Sequence, residues 1–302
     1  DGDVVQGDAG DQDLTFGPGN DILRGAGGDD RLASAAGDDL LSGGSGDDLL
    51  IGGAGADRLR GGDGVDVADF SASATGVAVR LWQGSGEGGD AEGDNLVLVD
   101  DVIGSDSDDV LIGASGFGVA DNGLFGGLGD DILRGAAGDD RLDGDAGDDL
   151  LSGGAGADRL RGGDGVDTTD YSASAAGVIV RLWQGSGEGG DAEGDNLILV
   201  EDVIGSDSDD VLVGASGFGV ADNSLFGGLG DDILRGAAGD DRLDGGAGND
   251  RLNGGDGADI FVFRPGAGSD SVVDFTTGSD LLDLSALQGI AGLDDLSIEA
   301  VN

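Results

Sequence analysis

The sequence predicts an all-β fold, a parallel β-solenoid of short stacked coils, and three observations carry that prediction. Fifteen Asp residues keep one nine-residue phase in three blocks, as in Gly43-Gly44-Ser45-Gly46-Asp47-Asp48-Leu49-Leu50-Ile51 followed by Gly52-Gly53-Ala54-Gly55-Ala56-Asp57-Arg58-Leu59-Arg60. Each of the fifteen follows a Gly by two residues, and thirteen precede a Leu or Phe by two, the exceptions being Ala68 and Thr169 at block ends. Residues 61–122 reappear as 162–223, an offset of 101 residues with eight differences, Phe70/Tyr171 and Asp100/Glu201 among them. A fixed short period with Gly, Asp and one large apolar residue in phase is the pattern of a solenoid.

In the nine positions Gly-Gly-x-Gly-x-Asp-x-U-x, the apolar residue U faces opposite to its neighbours in a strand, so each repeat supplies one inward side chain and a strand of about three residues. The Gly-rich remainder turns the chain, because Gly accepts positive φ and close backbone approach. Two turns complete a coil of eighteen residues, and turns on the same side stack at that interval. The blocks occupy 1–67, 104–168 and 205–259. Between them lie spacers at 68–103 and 169–204, expected as wider coils of the same solenoid. In the first spacer, 76–82 and 95–99 are expected as strands flanking a turn-rich loop at 84–94. Residues 260–302 bring Phe261, Phe263 and Phe275, an aromatic segment suited to cap the open end of a stack.

The composition narrows the function. The 302 residues carry a net charge of −49 and include no His and no Cys. The acidic residues are 57 Asp against 6 Glu, and the fourteen basic residues are all Arg. An acidic face needed only for solubility would use Glu as readily, so the bias toward Asp points to short carboxylates in tight turns. The acidity argues against nucleic acid and anionic membranes as partners, and no apolar run reaches the length of a membrane span. Without His, Cys or Lys, few catalytic arrangements can be built, and the chain is not expected to be an enzyme. No N-terminal signal peptide is visible, and the start and end of the chain read as those of a fragment of a longer protein.

Stacking at eighteen residues pairs Asp21 with Asp39, Asp30 with Asp48, Asp39 with Asp57 and Asp48 with Asp66. It likewise pairs Asp131 with Asp149, Asp140 with Asp158, Asp149 with Asp167, Asp232 with Asp250 and Asp241 with Asp259. Stacked carboxylates repel unless a cation lies between them. Turn carbonyls near Gly28, Gly37, Gly46, Gly55, Gly138, Gly147, Gly156, Gly239 and Gly248 would add neutral oxygens. An all-oxygen site of about six ligands at about 2.3–2.6 Å suits Ca²⁺ better than Mg²⁺, and the lack of His and Cys disfavours zinc and copper. Nine pairs predict about nine ions, which would bring the charge from −49 to −31. Asp109, Asn122, Asp210 and Asn223, where the phase resumes imperfectly, are weaker candidates. Fifth-position Asp29, Asp38, Asp47 and Asp139 are expected to face water; so are the loop acids Asp90, Glu92 and Asp94 and their copies Asp191, Glu193 and Asp195, with an extra calcium site as the alternative for the loop acids. Trp82 and Trp183 are expected to cover the wider coil, with a sugar-stacking platform as the alternative.

At these repeats, and at Asp256-Gly257-Ala258-Asp259-Ile260-Phe261-Val262-Phe263, the chain resembles the repeats-in-toxin (RTX) family of secreted bacterial proteins. The resemblance implies a parallel β-roll, folding triggered by Ca²⁺ outside the cell, and export by type I secretion machinery. It leaves two roles open: a structural, surface-layer or adhesive array, with self-association or polysaccharide binding as its contacts, or the accessory part of a secreted enzyme such as a protease, lipase or epimerase. Gln12 departs from the motif in the first unit.

Overall fold

The apolar positions set the architecture. In the computed structural model, which describes residues 2–114, 121–215 and 222–287, alternate repeats form strands on two facing parallel sheets. The register is the expected eighteen residues: Leu23 lies beside Leu41 and Leu41 beside Leu59 on one sheet, and Leu32 beside Leu50 on the other. Every eighth-position Leu of the repeats is fully buried. Each buried Leu contributes about 1.5–3 kcal/mol of transfer free energy. Within the repeats of each unit the inner faces therefore present columns of leucines, interrupted at block ends and spacers by residues such as Ala68, Val79 and Val102.

Not every strand has the expected three residues. Several run to six, as in Leu40–Ser45, Arg58–Asp63, Arg141–Ala146 and Leu150–Ala155, while Ile22–Arg24, Arg31–Ala33 and Leu49–Ile51 in the first block keep three. Pairing extends past U into the Gly pair, with Gly44 beside Gly62 and Ser45 beside Asp63. Successive turns of the same shape stay in hydrogen-bonding register, so the turn itself becomes part of the sheet.

The chain divides into two compact units, Asp1–Asp167 and Thr168–Asn302. In the first, the spacer holds three strands, Ala78–Arg80, Ser85–Glu87 and Asn95–Val97, joined to one another antiparallel. The outer two pair parallel with Val110–Ile112 and with Arg58–Asp63. On the facing sheet a single strand, Asp101–Ile103, links Val67–Asp69 to Gly123–Leu128. The loop expected at 84–94 thus contains a strand and a short 3-10 turn at Gly89–Ala91. The expected strand at 76–82 shortens to Ala78–Arg80, and Trp82 stands in the turn beyond it.

The second unit repeats this plan, with Ile179–Arg181, Ser186–Glu188 and Asn196–Ile198 antiparallel and Asp202–Ile204 linking Thr168–Asp170 to Ser224–Leu229. Among the described residues its last strands, Ser271–Val272 and Leu281–Asp283, pair parallel with Arg251–Asp256 and Ile260–Val262. Phe261 is fully buried and lies 6.2 Å, ring centre to ring centre, from the partly exposed Phe275. The rest of the expected cap, 288–302, lies outside the described residues.

Replacing Leu142 with Ala, in the middle of the leucine column, is expected to cost about 2–5 kcal/mol in urea unfolding at saturating calcium. Leu128→Ala, at a side chain half exposed, should change stability by less than about 0.5 kcal/mol.

Candidate metal centre

All fifteen sixth-position Asp side chains are buried, none exposing more than 3% of its surface. In each of the nine expected pairs, one carboxylate oxygen is held by the neighbouring coil: the Oδ1 of the later Asp accepts the backbone N–H of the earlier one at 2.6–3.0 Å. The same bond runs from Asn122 to Asp140 and from Asn223 to Asp241. The columns of acids inferred from an eighteen-residue interval are therefore real stacks, each rung tied to the next through main chain.

The second oxygen is what sets the chemistry. In twelve of the fifteen, among them Asp30, Asp48, Asp131, Asp140, Asp232 and Asp241, Oδ2 is buried and makes no hydrogen bond. It points over the first-position Gly of its own repeat. A Cβ on Gly135 would strike Asp140 Oδ2 and also approach the carbonyl oxygen of Gly153, which is the first-position Gly of the next coil. The same pair of oxygens meets at Gly25, Gly126, Gly227 and Gly236. Each such turn thus holds a carboxylate oxygen and a carbonyl oxygen from adjacent coils around a space that a methyl group would fill. Fourth-position Gly46 has φ 120°, and a Cβ there would collide with the Gly28 carbonyl one coil before. The carbonyls of Gly28 and its counterparts Gly37, Gly138 and Gly239 face the fourth-position Gly or its equivalent on the next coil. The first-position carbonyls, such as those of Gly144 and Gly153, were not singled out from sequence; the recurrence of Gly at that position was the signal for them. At the Asp39 repeat the first position is Ser34, whose hydroxyl donates to the Gly52 carbonyl at 2.7 Å.

Among the described residues no three acidic, His or Cys side chains converge on one point, so a cation here must draw its ligands from carboxylate pairs and main-chain oxygens. That donor set is hard, anionic and all-oxygen, and it fits Ca²⁺.

The weaker candidates are differently placed. Asp109 already uses both oxygens, one on the Val77 N–H and the Ser105 hydroxyl, the other on the Ser105 N–H. Asp210 repeats this with Val178 and Ser206. Asn122 accepts from the Ala114 N–H and donates to the Asp100 carbonyl, so its amide bridges coils by itself.

Two features go beyond the expected solvent-facing acids. Fifth-position acids are exposed, as expected, yet they form a second ladder. The Asp47 N–H donates to Asp29 Oδ1 at 2.9 Å, Val65 to Asp47 at 2.8 Å and Val166 to Asp148 at 2.9 Å. This ladder runs opposite in sense to the buried one, since here the later residue donates to the earlier carboxylate. Asp94, expected in water, is instead buried, and its Oδ1 accepts the Asp57 N–H at 2.7 Å as a next-coil Asp would. Its Oδ2 has no hydrogen bond. In the second spacer, the matching Asp195 Oδ2 accepts from the Tyr171 hydroxyl at 2.8 Å, a donor that Phe70 cannot supply. Asp90 is half-buried and Glu92 exposed. Trp82 and Trp183 are 57% and 56% exposed, so more than half of each residue's surface faces solvent. Arg161 spans Asp143 and Asp145 at 2.7 and 3.0 Å, offsetting acidic charge between neighbouring coils.

With this geometry, the family match has a physical meaning. The sequence profile of the RTX calcium-binding nonapeptide repeat matches residues 6–41, 34–68, 118–151, 143–173, 226–261 and 235–272. The chain belongs to the RTX calcium-binding repeat family. No curated protein matches it. The matched segments fall on the three blocks and leave out most of both spacers.

Burial strips water from the carboxylates and pushes Asp131 up to about 8, Asp232 and Asp241 to about 7, and Asp57, Asp66, Asp140 and Asp149 to about 6. The backbone N–H bond on each opposes the shift without cancelling it. A carboxylate whose folded value lies above its unfolded one favours folding when protonated. That contribution is complete at pH values below about 4 and is lost as pH rises through about 6–8. Without metal, β structure measured by circular dichroism should therefore increase as pH falls from 8 toward 4. With metal, calcium affinity should weaken over the same interval, because protons compete for the same oxygens. Gly135→Ala, which puts a methyl group between Asp140 Oδ2 and the Gly153 carbonyl, should weaken calcium binding in that turn at least about tenfold by calorimetric titration, equivalent to about 1.4 kcal/mol.

Proposed function

We propose that this chain is a secreted RTX module that stays open where calcium is scarce and folds outside the cell as Ca²⁺ fills its stacked turns, forming a structural or adhesive array. The observation that carries this reading is the column of buried carboxylate oxygens without hydrogen bonds. Each such group costs about 1–3 kcal/mol or more when left unsatisfied. Twelve of them outweigh the ~5–15 kcal/mol by which a whole domain is usually stable. At neutral pH the coils need a cation, and binding energy becomes folding energy. Extracellular calcium modules work at about 10⁻⁴–10⁻³ M, a range that leaves a chain unfolded inside a cell and closes it outside. The nine Asp pairs would hold the ions, with the Gly carbonyls of adjacent coils completing the ligand sets. No catalytic role is proposed.

Circular dichroism at pH 7.5 should show a largely unordered chain in chelator and a β spectrum on adding calcium at millimolar concentration, with magnesium unable to substitute. A full β spectrum that survives chelation would overturn the reading.

A second reading, binding of polysaccharide, is favoured by the exposure of Trp82 and Trp183, since an exposed indole offers an apolar face to a sugar ring. In glycan-array binding with calcium present, the Trp82→Ala, Trp183→Ala double variant should lose at least about tenfold in affinity for any glycan that the unaltered chain retains.

A further inference from the structure

The RTX match in the first block stops at residue 68 and resumes at 118, so it assigns no partner to the last carboxylate of that block, Asp66, on the side facing the spacer. Asp66 is completely buried, and its Oδ2 makes no hydrogen bond. The spacer supplies what the next repeat would have supplied. A Cβ on Gly61 would strike Asp66 Oδ2 and the main-chain oxygen of Leu98 together. This is the arrangement found at Gly135, with the Leu98 carbonyl standing where the Gly153 carbonyl stands in a repeat turn. The Asp66 N–H donates to a carboxylate oxygen of Asp100 at 2.8 Å, as it would to the sixth-position Asp of a following coil.

The backbone is bent to achieve this. Leu98 has φ +53°, a left-handed conformation that costs a non-Gly residue about 1–2 kcal/mol. It is held there while its side chain stays 47% exposed, so burial of the leucine does not explain the bend. The N–H groups of Asp100 and Asp101 both donate to the Asp66 carbonyl, at 2.9 and 3.0 Å, which fastens this turn onto Asp66. Strain of this kind, over-determined by its surroundings, is typical of ligand clamps.

We propose that the first spacer completes an additional calcium site, formed by Asp66 Oδ2, the Leu98 carbonyl oxygen and the carboxylate of Asp100, outside the nonapeptide repeats. The inference rests on the calcium reading of the repeats. It makes the spacer a metal-binding coil with a sequence of its own: one carbonyl delivered by a left-handed leucine and one carboxylate two residues later. The second spacer retains the leucine bend at Leu199, φ +52°, and has Glu201 at the position of Asp100.

Ions bound per chain at saturating calcium, counted by native mass spectrometry, test it. Asp100→Asn keeps an oxygen for the Asp66 N–H but removes the charge, and it should lower the count by one while the β spectrum persists. Asp100→Glu should keep the count. Asp140→Asn, in a repeat turn, should lower it as well. An unchanged count in Asp100→Asn beside a reduced one in Asp140→Asn overturns the spacer site and leaves the repeats as calcium turns. Unchanged counts in both overturn the calcium reading and this inference with it. Should Asp100→Asn fail to fold in excess calcium, crystals of the unaltered chain grown with terbium decide. An anomalous peak in contact with both Asp66 Oδ2 and Leu98 O supports the site, and peaks confined to the repeat turns overturn it.

Discussion

Like charges held in register govern this protein. The strand interval of eighteen residues brings carboxylates into columns, and the leucine column beside them keeps water out. The same hydrophobic burial that orders the sheets therefore creates the electrostatic problem that only a cation or a proton can relieve. Leu142 and Asp140 are two residues apart, yet one drives the coil to close and the other opposes closure until its charge is answered. Stability and ligand binding are for this reason not separable properties of the chain. The glycines serve both demands, since a side chain at Gly135 would occupy the space between the two oxygens and one at Gly46 would keep successive coils apart.

The spacers show how a period can be interrupted without breaking the columns. In the first unit, Asp94 takes over from Asp57 and Asp100 from Asp66, although they lie 37 and 34 residues on rather than eighteen. The antiparallel strands add width to one sheet only, and both acid columns are rejoined on the far side. Asp109 and Asn122 resume them with side chains whose hydrogen bonds are made within the protein. Each spacer is in this sense a coil with different internal satisfaction of its polar groups, and the difference between Phe70 and Tyr171 shows that the two copies have already diverged in that respect.

What could be read from sequence was whatever repeats. The nine-residue phase led directly to the parallel fold, the eighteen-residue pairing and the inward leucines, because a periodic chain stacks its own copies. What could not be read depended on single geometries. Ser85-Gly86-Glu87 has poor intrinsic β preference and becomes a strand because a partner lies on each side. Asp94 has the composition of a loop around it, and only the path of the hairpin buries it. Asp109 keeps the motif's carboxylate, but Ser105, four residues earlier, consumes its oxygens. The exposed ladder of Asp29, Asp47 and Asp148 was hidden by its own regularity, since an acid facing water gives no sign that it also grips the next coil.

That exposed ladder gives the stack a second set of links. Its bonds involve surface carboxylates and main chain, and they run in the opposite sense to those beside the buried oxygens. Each coil is therefore laced to its neighbours from outside as well as beside the buried acids. These links do not use the buried oxygens, so they are the same whether a buried carboxylate carries a proton, a cation or neither.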